Sequence, residues 1–149
     1  MSLEEAIQQK KFRNEHLKAM VNILYTQSWL SRRIKGYLQA ENISMQQYNI
    51  LRILRGAKTP VSTMQIRERM LDSMSDTSRV VDRMILKGLA DKKVNEHDKR
   101  LVDITITQKG IDILERLDAK VHLLDGIMLN LTESDAKLLN HLLDKLRGD

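Results

Sequence analysis

One β-type segment stands out in a sequence that is otherwise patterned for helices, and it restricts the fold more than any other feature. It runs from Lys87 to Gly110 and contains two short β-type stretches, Leu89–Asn95 and Leu101–Thr107, around the polar tip Glu96–Arg100. An isolated hairpin is only marginally stable, so it must pack against something else. We therefore predict a small, mainly α-helical domain with one basic antiparallel β-hairpin, which is the shape of a nucleic-acid-binding wing.

Length and composition favour a single domain and exclude several classes of protein. A chain of 149 residues, 42% hydrophobic and 30% charged, is large enough to bury a core. The absence of cysteine excludes disulfides, thiolate metal ligands and cysteine redox sensing. No apolar run approaches the roughly 18 residues of a membrane span, and no signal peptide opens the chain. We expect a cytoplasmic protein with no membrane partner, whose Met1-Ser2-Leu3 start is either native or left by an expression tag.

The positive charge is unevenly distributed. The net charge of +5 divides into +3 for residues 1–43, +4 for residues 44–107 and −2 for residues 108–149. A polyanionic partner fits this distribution, although a surplus of this size is also common in proteins that bind no nucleic acid.

Helix start signals divide the remaining chain. Capping boxes begin at Ser44, Ser62 and Thr132, a further start falls near Ser73 or Ser75, and Thr107 precedes the helix after the hairpin. Apolar residues at helical spacing over residues 10–40 predict a long first helix. The predicted order is four helices, the hairpin and two more helices.

Two of these helices, at roughly 62–71 and 75–88, have the lengths of a helix-turn-helix. The second helix of such a unit places its N-terminal residues in the major groove. Small hydroxyl groups and arginines suit contact with bases or phosphates. The alternative is an ordinary helical hairpin in which Ser and Asp cap the helix and the arginines pair with Asp76 and Asp82. The side chains left exposed on the second helix are Ser75, Asp76, Ser78, Arg79, Asp82 and Arg83.

Several short motifs in order resemble the MarR family of transcription regulators. They are Gly88-Leu89 after the second helix, Asp98-Lys99-Arg100 at the hairpin tip, Thr107-Gln108-Lys109-Gly110 after the second strand, and Met45–Leu51. The likeness extends over the whole chain in length and element order. It implies a single domain, 1–149, with a winged helix-turn-helix at 44–107 and dimerisation helices at 1–43 and 108–149. It further implies a homodimer that binds a near-palindromic operator in double-stranded DNA.

The resemblance also implies roles for the residues of the wing. Arg100 would enter the minor groove, whose negative potential attracts a guanidinium, and Asp98 would orient basic residues at the base of the wing. Lys92, Lys93 and Lys99 would add positive charge. The alternative is that Asp98 and Arg100 form only a surface ion pair. Lys92 replaces a frequent arginine and cannot make the same fork to Asp98. Asp76 stands where a neutral residue is usual.

The terminal helices carry more apolar side chains than a small winged domain needs, which favours a two-fold dimer over a monomer with folded-back helices. The resemblance implies a small-molecule effector cleft between the dimerisation helices and the winged core. Tyr25, Trp29 and Tyr48 are the candidates to line it, and each could equally be core packing.

The sequence gives little support for an enzyme active site or a cofactor-binding site. The sequence contains no phosphate-binding glycine loop, nucleophile elbow or paired-carboxylate motif. The spacing of Asp118, His122 and Asp125 would place them on one helical face, either as metal ligands or as a solvated polar stripe. We expect a ligand-released repressor without a cofactor. The alternative is a helical protein-interaction module that does not bind DNA.

Overall fold

The structure is a computed structural model and describes residues 1–148. Eight α-helices and three strands follow one another along the chain. In order they are α1 (Leu3–Ile7), α2 (Glu15–Leu38), α3 (Met45–Ala57), β1 (Val61–Ser62), α4 (Thr63–Arg69), α5 (Thr77–Leu86), β2 (Ala90–Val94), β3 (Val102–Ile106), α6 (Gln108–Asp118), α7 (Val121–Asp125) and α8 (Glu133–Arg147). The predicted fold class, mainly α with a small antiparallel hairpin in a winged helix-turn-helix core, is confirmed.

Hydrogen-bonded side-chain caps begin the helices around the core. Ser44 accepts from the amide of Gln47 at 3.1 Å, and the Gln47 side chain accepts from the amide of Ser44 at 3.1 Å. Ser62 and Thr132 form the same reciprocal box with the residue three positions later. Thr107 caps α6. All four predicted caps are confirmed, because this chemistry is local and depends little on the rest of the fold.

The hairpin belongs to a three-stranded antiparallel sheet in which β3 lies between β1 and β2. Its two long strands lie within one residue of the predicted bounds. The register pairs Ala90 with Ile106 and Val94 with Val102. On its other edge β3 pairs with β1, so that Val61 lies opposite Ile104. The third strand was not predicted. It anchors the base of the hairpin to the start of α4.

One core joins the helix-turn-helix, the sheet and α6. Its fully buried side chains come from α2, α3, α4, α5, β3 and α6 and from the residue before β2: Leu38, Ile50, Leu51, Ile66, Met84, Leu89, Ile104, Leu114 and Leu117. Helix α5, the second helix of the helix-turn-helix and therefore the candidate recognition helix, sits on a rigid base, because α3, α4 and the sheet all pack beneath it.

The terminal helices leave much of their apolar surface uncovered. No residue of α8 is buried, and its Leu138, Leu142 and Leu146 are 57%, 52% and 68% exposed. Leu38 is the only buried residue of α2. These leucines lie four positions apart and form an exposed apolar face on α8. Within residues 1–148 no helix combines the length and apolar character needed to cross a lipid bilayer.

One continuous helix was predicted between Thr107 and the capping box at Thr132, and the structure differs from this prediction. Helix α6 ends at Asp118, and α7 begins only at Val121. Ala119 and Lys120 carry neither a glycine nor a proline signal, and Lys120 makes no side-chain cap at the start of α7. A short helix, α1, also precedes the predicted first one, which starts at Glu15 rather than near residue 10.

Candidate nucleic-acid interface

The recognition helix α5 starts at Thr77 because Asp76 is its cap. The Asp76 carboxylate accepts from the amide of Arg79 at 3.2 Å, and a negative charge at a helix N-terminus is favoured by the helix dipole. The predicted start near Ser73 or Ser75 is therefore too early. The Ser75 hydroxyl donates to the carbonyl oxygen of Asp72 at 2.9 Å, which places Ser75 in the turn before the helix.

The exposed face of α5 carries the predicted side chains. Ser78, Arg79, Asp82 and Arg83 are exposed, while Val81, Met84 and Thr77 are buried on the opposite side. The charge on this face is mixed, because Arg79 Nε lies 3.5 Å from Asp76 Oδ2. The Arg79 side chain nevertheless remains 78% exposed.

A polar groove of about 350 Å³ separates α5 from the start of α3. Ser75, Arg79 and Arg83 are among its lining residues, and Ser44 and Gln46 line the side formed by α3. The structure therefore brings together three of the residues predicted for DNA contact. The groove also contains Asp72 and Asp76, so its electrostatic character is not uniformly positive.

Two lysines occupy the outer strand of the wing. Lys92 Nζ lies 4.0 Å from Asp82 Oδ1 on α5, and Lys93 Nζ lies 2.8 Å from Glu96 Oε1 near the tip. Both lysines are more than half exposed. The Lys92–Asp82 contact links the wing to the recognition helix, so the two predicted DNA-contacting elements form a continuous charged surface.

The wing tip is organised around Asp98. Its Oδ1 accepts from Arg100 Nε at 3.0 Å, and its Oδ2 accepts from Arg100 Nη2 at 3.1 Å. The side-chain hydrogen bonds from Arg100, followed by that from the Arg100 amide, lower the pKa of Asp98. The Asp98 carboxylate therefore pairs with Arg100, which is the surface ion pair that the sequence left as the alternative, whereas Lys92 and Lys93 pair with Asp82 and Glu96. The Arg100 side chain is 89% exposed, and Lys99 beside it is also exposed.

Asn95 was not singled out in the sequence. Its Oδ1 accepts from the amides of His97 and Asp98 at 2.9 and 2.8 Å. Its Nδ2 donates to both carboxylate oxygens of Asp103 on β3, at 3.1 and 3.0 Å. An asparagine that opens a polar turn is a known signal for this geometry, but the contact across the hairpin to Asp103 depends on the strand register.

The Gly88-Leu89 and Thr107–Gly110 motifs meet behind the recognition helix. Gly88 has φ of 73°, in the left-handed region, and its carbonyl oxygen accepts from the Thr107 hydroxyl. A Cβ on Gly110 would lie 2.6 Å from the carbonyl oxygen of Leu89. Lys109 Nζ donates to the carbonyl oxygen of Lys87 at 2.7 Å. These contacts fix the end of α5 against the start of α6.

The three aromatic candidates for an effector site lie in two places. Tyr25 and Trp29 line a cavity of about 310 Å³ between α1 and α2. Tyr48 lies on α3, where its ring meets that of Tyr37 edge to face, with 6.3 Å between the ring centroids. Tyr48 is also partly buried against the core. The structure therefore brings Tyr25 and Trp29 together and leaves Tyr48 apart. The pocket is lined by residues 1–29 alone, so it does not lie in the predicted cleft between the dimerisation helices and the winged core.

Asp118, His122 and Asp125 do not share one helical face, although their spacing predicted it. Asp118 is the last residue of α6, whereas His122 and Asp125 belong to the separate helix α7. Arg55 Nη1 donates to Asp118 Oδ2 at 2.6 Å. Across residues 1–148 the side chains of His, Asp and Glu form no group of three with the spacing of a metal site. The placement on one helical face was wrong because the helix ends at Asp118.

Comparisons with known proteins agree with this arrangement. Residues 41–101 match the model of the MarR family. The chain is 29% identical over 119 residues to the multiple antibiotic resistance protein MarR of Salmonella typhimurium, which covers 77% of this chain and 81% of that protein. It is 29% identical over 113 residues to the HTH-type transcriptional regulator BilQ of Clostridium symbiosum, covering 75% and 78%.

Solved structures show the same fold. A crystal structure of a mutant MarR from E. coli complexed with operator DNA matches with a TM-score of 0.80 and 25% identity, over 92% of this chain and 99% of that chain. The organohalide-sensing transcriptional regulator RdhR-CbdbA1625, in its 2,4-dichlorophenol-bound form, matches with a TM-score of 0.83 and 22% identity, over 94% and 86%.

Proposed function

We propose that this chain is a winged helix-turn-helix protein of the MarR type and acts as a homodimeric, sequence-specific transcription regulator on double-stranded DNA. The observation that carries the proposal is the shared surface of α5 and the wing. Ser78, Arg79 and Arg83 are exposed on the helix, and Arg100 is exposed at the wing tip. The Lys92–Asp82 contact links the wing to the helix. The related MarR protein in complex with operator DNA supports the same assignment.

In the proposed complex the two elements have different tasks. The hydroxyl and guanidinium groups of α5 face the major groove, where arginine can bind guanine with two hydrogen bonds. Arg100 enters the adjacent minor groove, and Lys92, Lys93 and Lys99 lie near phosphates. Asp98 fixes the Arg100 guanidinium through two side-chain hydrogen bonds, and this pairing balances the negative charge of Asp98, so that the tip approaches DNA with reduced repulsion.

A dimer is supported by the exposed leucines of α8. Burial of such a face against a second copy removes apolar surface from water and places two recognition helices on one duplex. We therefore propose a near-palindromic operator with half-sites about one helical turn apart.

We further propose that DNA binding represses transcription and that a small molecule releases it. The ligand-bound form of the organohalide-sensing relative supports ligand control, and the cavity beside Tyr25 and Trp29 is a candidate location. The similar proteins are transcription regulators, not enzymes, which points away from catalysis. We propose no enzymatic role or cofactor and a cytoplasmic location.

Selection from a pool of random duplexes, followed by footprinting, tests the proposal. We expect enrichment of a near-palindromic sequence and protection of two half-sites. We also expect a steep loss of affinity with added salt, because released counterions drive binding to phosphates. A protein-interaction module would show neither enrichment nor binding at low salt, and that result would reject our proposal.

A further inference from the structure

The wing tip has no apolar anchor. Val94, Leu101 and Val102, which flank it, are 54%, 43% and 37% exposed. The segment between the strands contains no proline, which would fix φ at one position, and no glycine, which would favour a turn that needs positive φ. Hydrogen bonds between polar groups must therefore decide its conformation, since an exposed loop without such bonds samples many conformations.

Asn95 forms hydrogen bonds with four other residues of the wing, Leu101, His97, Asp98 and Asp103. Its backbone amide donates to the carbonyl oxygen of Leu101 at 3.0 Å and closes the loop. Its side chain accepts from two loop amides and donates to the Asp103 carboxylate on the opposite strand. One of the two amides belongs to Asp98, the residue that holds Arg100. A continuous series of hydrogen bonds thus runs from β3 to the exposed guanidinium.

This position requires both halves of a carboxamide. The oxygen must accept from backbone amides while the nitrogen donates to a carboxylate, and asparagine offers both groups on one short side chain. Aspartate would keep the acceptor, but it would place a second carboxylate against Asp103. Alanine would remove both contacts and leave the backbone amides to water.

We propose that Asn95, held by Asp103, is a positioning residue that presents Arg100 to the DNA minor groove. The inference rests on the proposed function and adds a residue that makes no DNA contact of its own. Its effect is preorganisation: the tip is ordered before binding, so less conformational entropy is lost when Arg100 enters the groove.

A double-mutant cycle tests the proposal, with the duplex recovered by selection as the probe and fluorescence anisotropy as the readout. We expect Asn95→Ala to weaken binding by roughly threefold to tenfold in the full-length protein. In an Arg100→Ala background the same change should have almost no effect, because the group that Asn95 positions is gone. Lys99→Ala, which removes a charge at the same tip, should weaken binding in both backgrounds.

An exchange of the two partners gives a second test. Asn95→Asp alone should weaken binding, because two carboxylates then face each other and the tip gains a negative charge. The double variant Asn95→Asp with Asp103→Asn has the wild-type net charge and restores one donor opposite one carboxylate. We expect it to recover affinity to within about twofold of wild type.

Each outcome decides the matter. Loss of the Asn95→Ala effect in the Arg100→Ala background, together with recovery in the exchanged pair, supports the positioning role. If Asn95→Ala weakens binding equally in both backgrounds, the positioning role is overturned. It is also overturned if Asn95→Ala leaves the affinity unchanged while Arg100→Ala weakens binding. The proposed function stands in both cases. If Arg100→Ala itself binds as wild type does, the wing contact in the proposed function fails together with the inference. Thermal unfolding of each variant shows whether the fold is retained.

Discussion

The hydroxyl of Thr107 donates to the carbonyl oxygen of Gly88, with 2.7 Å between the two oxygen atoms. The same hydroxyl accepts from the amide of Gly110 at 3.2 Å. One side chain thus caps α6 and holds the turn that ends the recognition helix. Residues 19 positions apart in the sequence are joined here, so the orientation of α5 depends on the first turn of α6.

Gly110→Ala should destabilise the protein. The added Cβ would lie 2.6 Å from the carbonyl oxygen of Leu89 and 2.9 Å from Cγ1 of Ile106, and the backbone oxygen cannot move without disturbing the sheet. We expect a loss of about 2 kcal/mol or more in the free energy of unfolding, measured by chemical denaturation. Gly56→Ala is the matched control, since its Cβ would enter open space and should stabilise α3 by about 0.5 kcal/mol. Equal effects at the two glycines would contradict the close approach at Gly110.

Thr77→Val should stabilise the protein. Thr77 is fully buried, and its hydroxyl oxygen has no hydrogen-bond partner within the described part of the chain. Valine has nearly the same shape and removes an unsatisfied polar group, which is worth about 1 kcal/mol of unfolding free energy. Thr77→Ser keeps the hydroxyl and deletes a packed methyl group, so it should destabilise by about 1 kcal/mol. A lower melting temperature for Thr77→Val than for wild type would show that the hydroxyl is satisfied in solution.

Arg100→Ala should weaken binding to the selected duplex by about tenfold or more and leave dimerisation unchanged. Arg100→Lys keeps the charge without the planar fork, and we expect an intermediate loss. Lys145→Ala removes one positive charge from α8, away from the wing, and serves as the charge control. A mobility-shift titration measures all three. If Arg100→Ala and Lys145→Ala had the same small effect, the contribution of Arg100 would be one of net charge alone.

Leu142→Glu should disrupt the proposed dimer. Leu142 is 52% exposed on α8, and a carboxylate there would have to be buried at the interface without a partner. We expect the dimer dissociation constant to rise at least about 100-fold, measured by sedimentation equilibrium. Lys137→Ala lies on the same helix, where Lys137 pairs with Glu133 and is 75% exposed, and should leave the dimer intact. A Leu142→Glu protein that remains dimeric would place the interface elsewhere.

The Glu41–Arg116 ion pair should make stability depend on pH in the acid range. Arg116 Nε and Nη2 both donate to the Glu41 carboxylate, and these hydrogen bonds lower the pKa of Glu41 from its ordinary value of 4.5. A carboxyl group with a lowered folded-state pKa contributes stability above its unfolded pKa and loses that contribution as the pH falls through the folded value.

Glu41→Gln should therefore reduce the unfolding free energy at pH 7 by about 1 kcal/mol, a value that allows for solvent screening at the half-exposed Arg116. The difference from wild type should be full at neutral pH and should shrink as the pH falls below 4.5 and through the lowered folded-state pKa of Glu41. Urea denaturation at several pH values measures it. A difference independent of pH would mean that the ion pair has no part in the effect.

Much of this molecule was predictable because it depends on local chemistry. The capping boxes at Ser44, Ser62 and Thr132 satisfy backbone amides within one turn, so neighbouring residues are sufficient to determine them. The two long wing strands are set by alternating residues on either side of a polar tip, and their bounds were predicted to within one residue. The exposed side of α5 follows from helical periodicity.

Tertiary contacts decided the rest. Strand β1 has only two residues, too few for any periodicity, and exists because β3 has a free edge to pair with. The break between α6 and α7 falls at Ala119 and Lys120, and neither residue is a glycine or a proline. The separation of Tyr48 from Tyr25 and Trp29, like the contact of Asn95 with Asp103, depends on how helices pack and strands align. The sequence alone determined the capped starts of α3, α4, α6 and α8, the two long wing strands and the exposed side of α5, because those choices depend on near neighbours. Only the folded structure decided which distant side chains meet, because packing and strand register involve the whole chain.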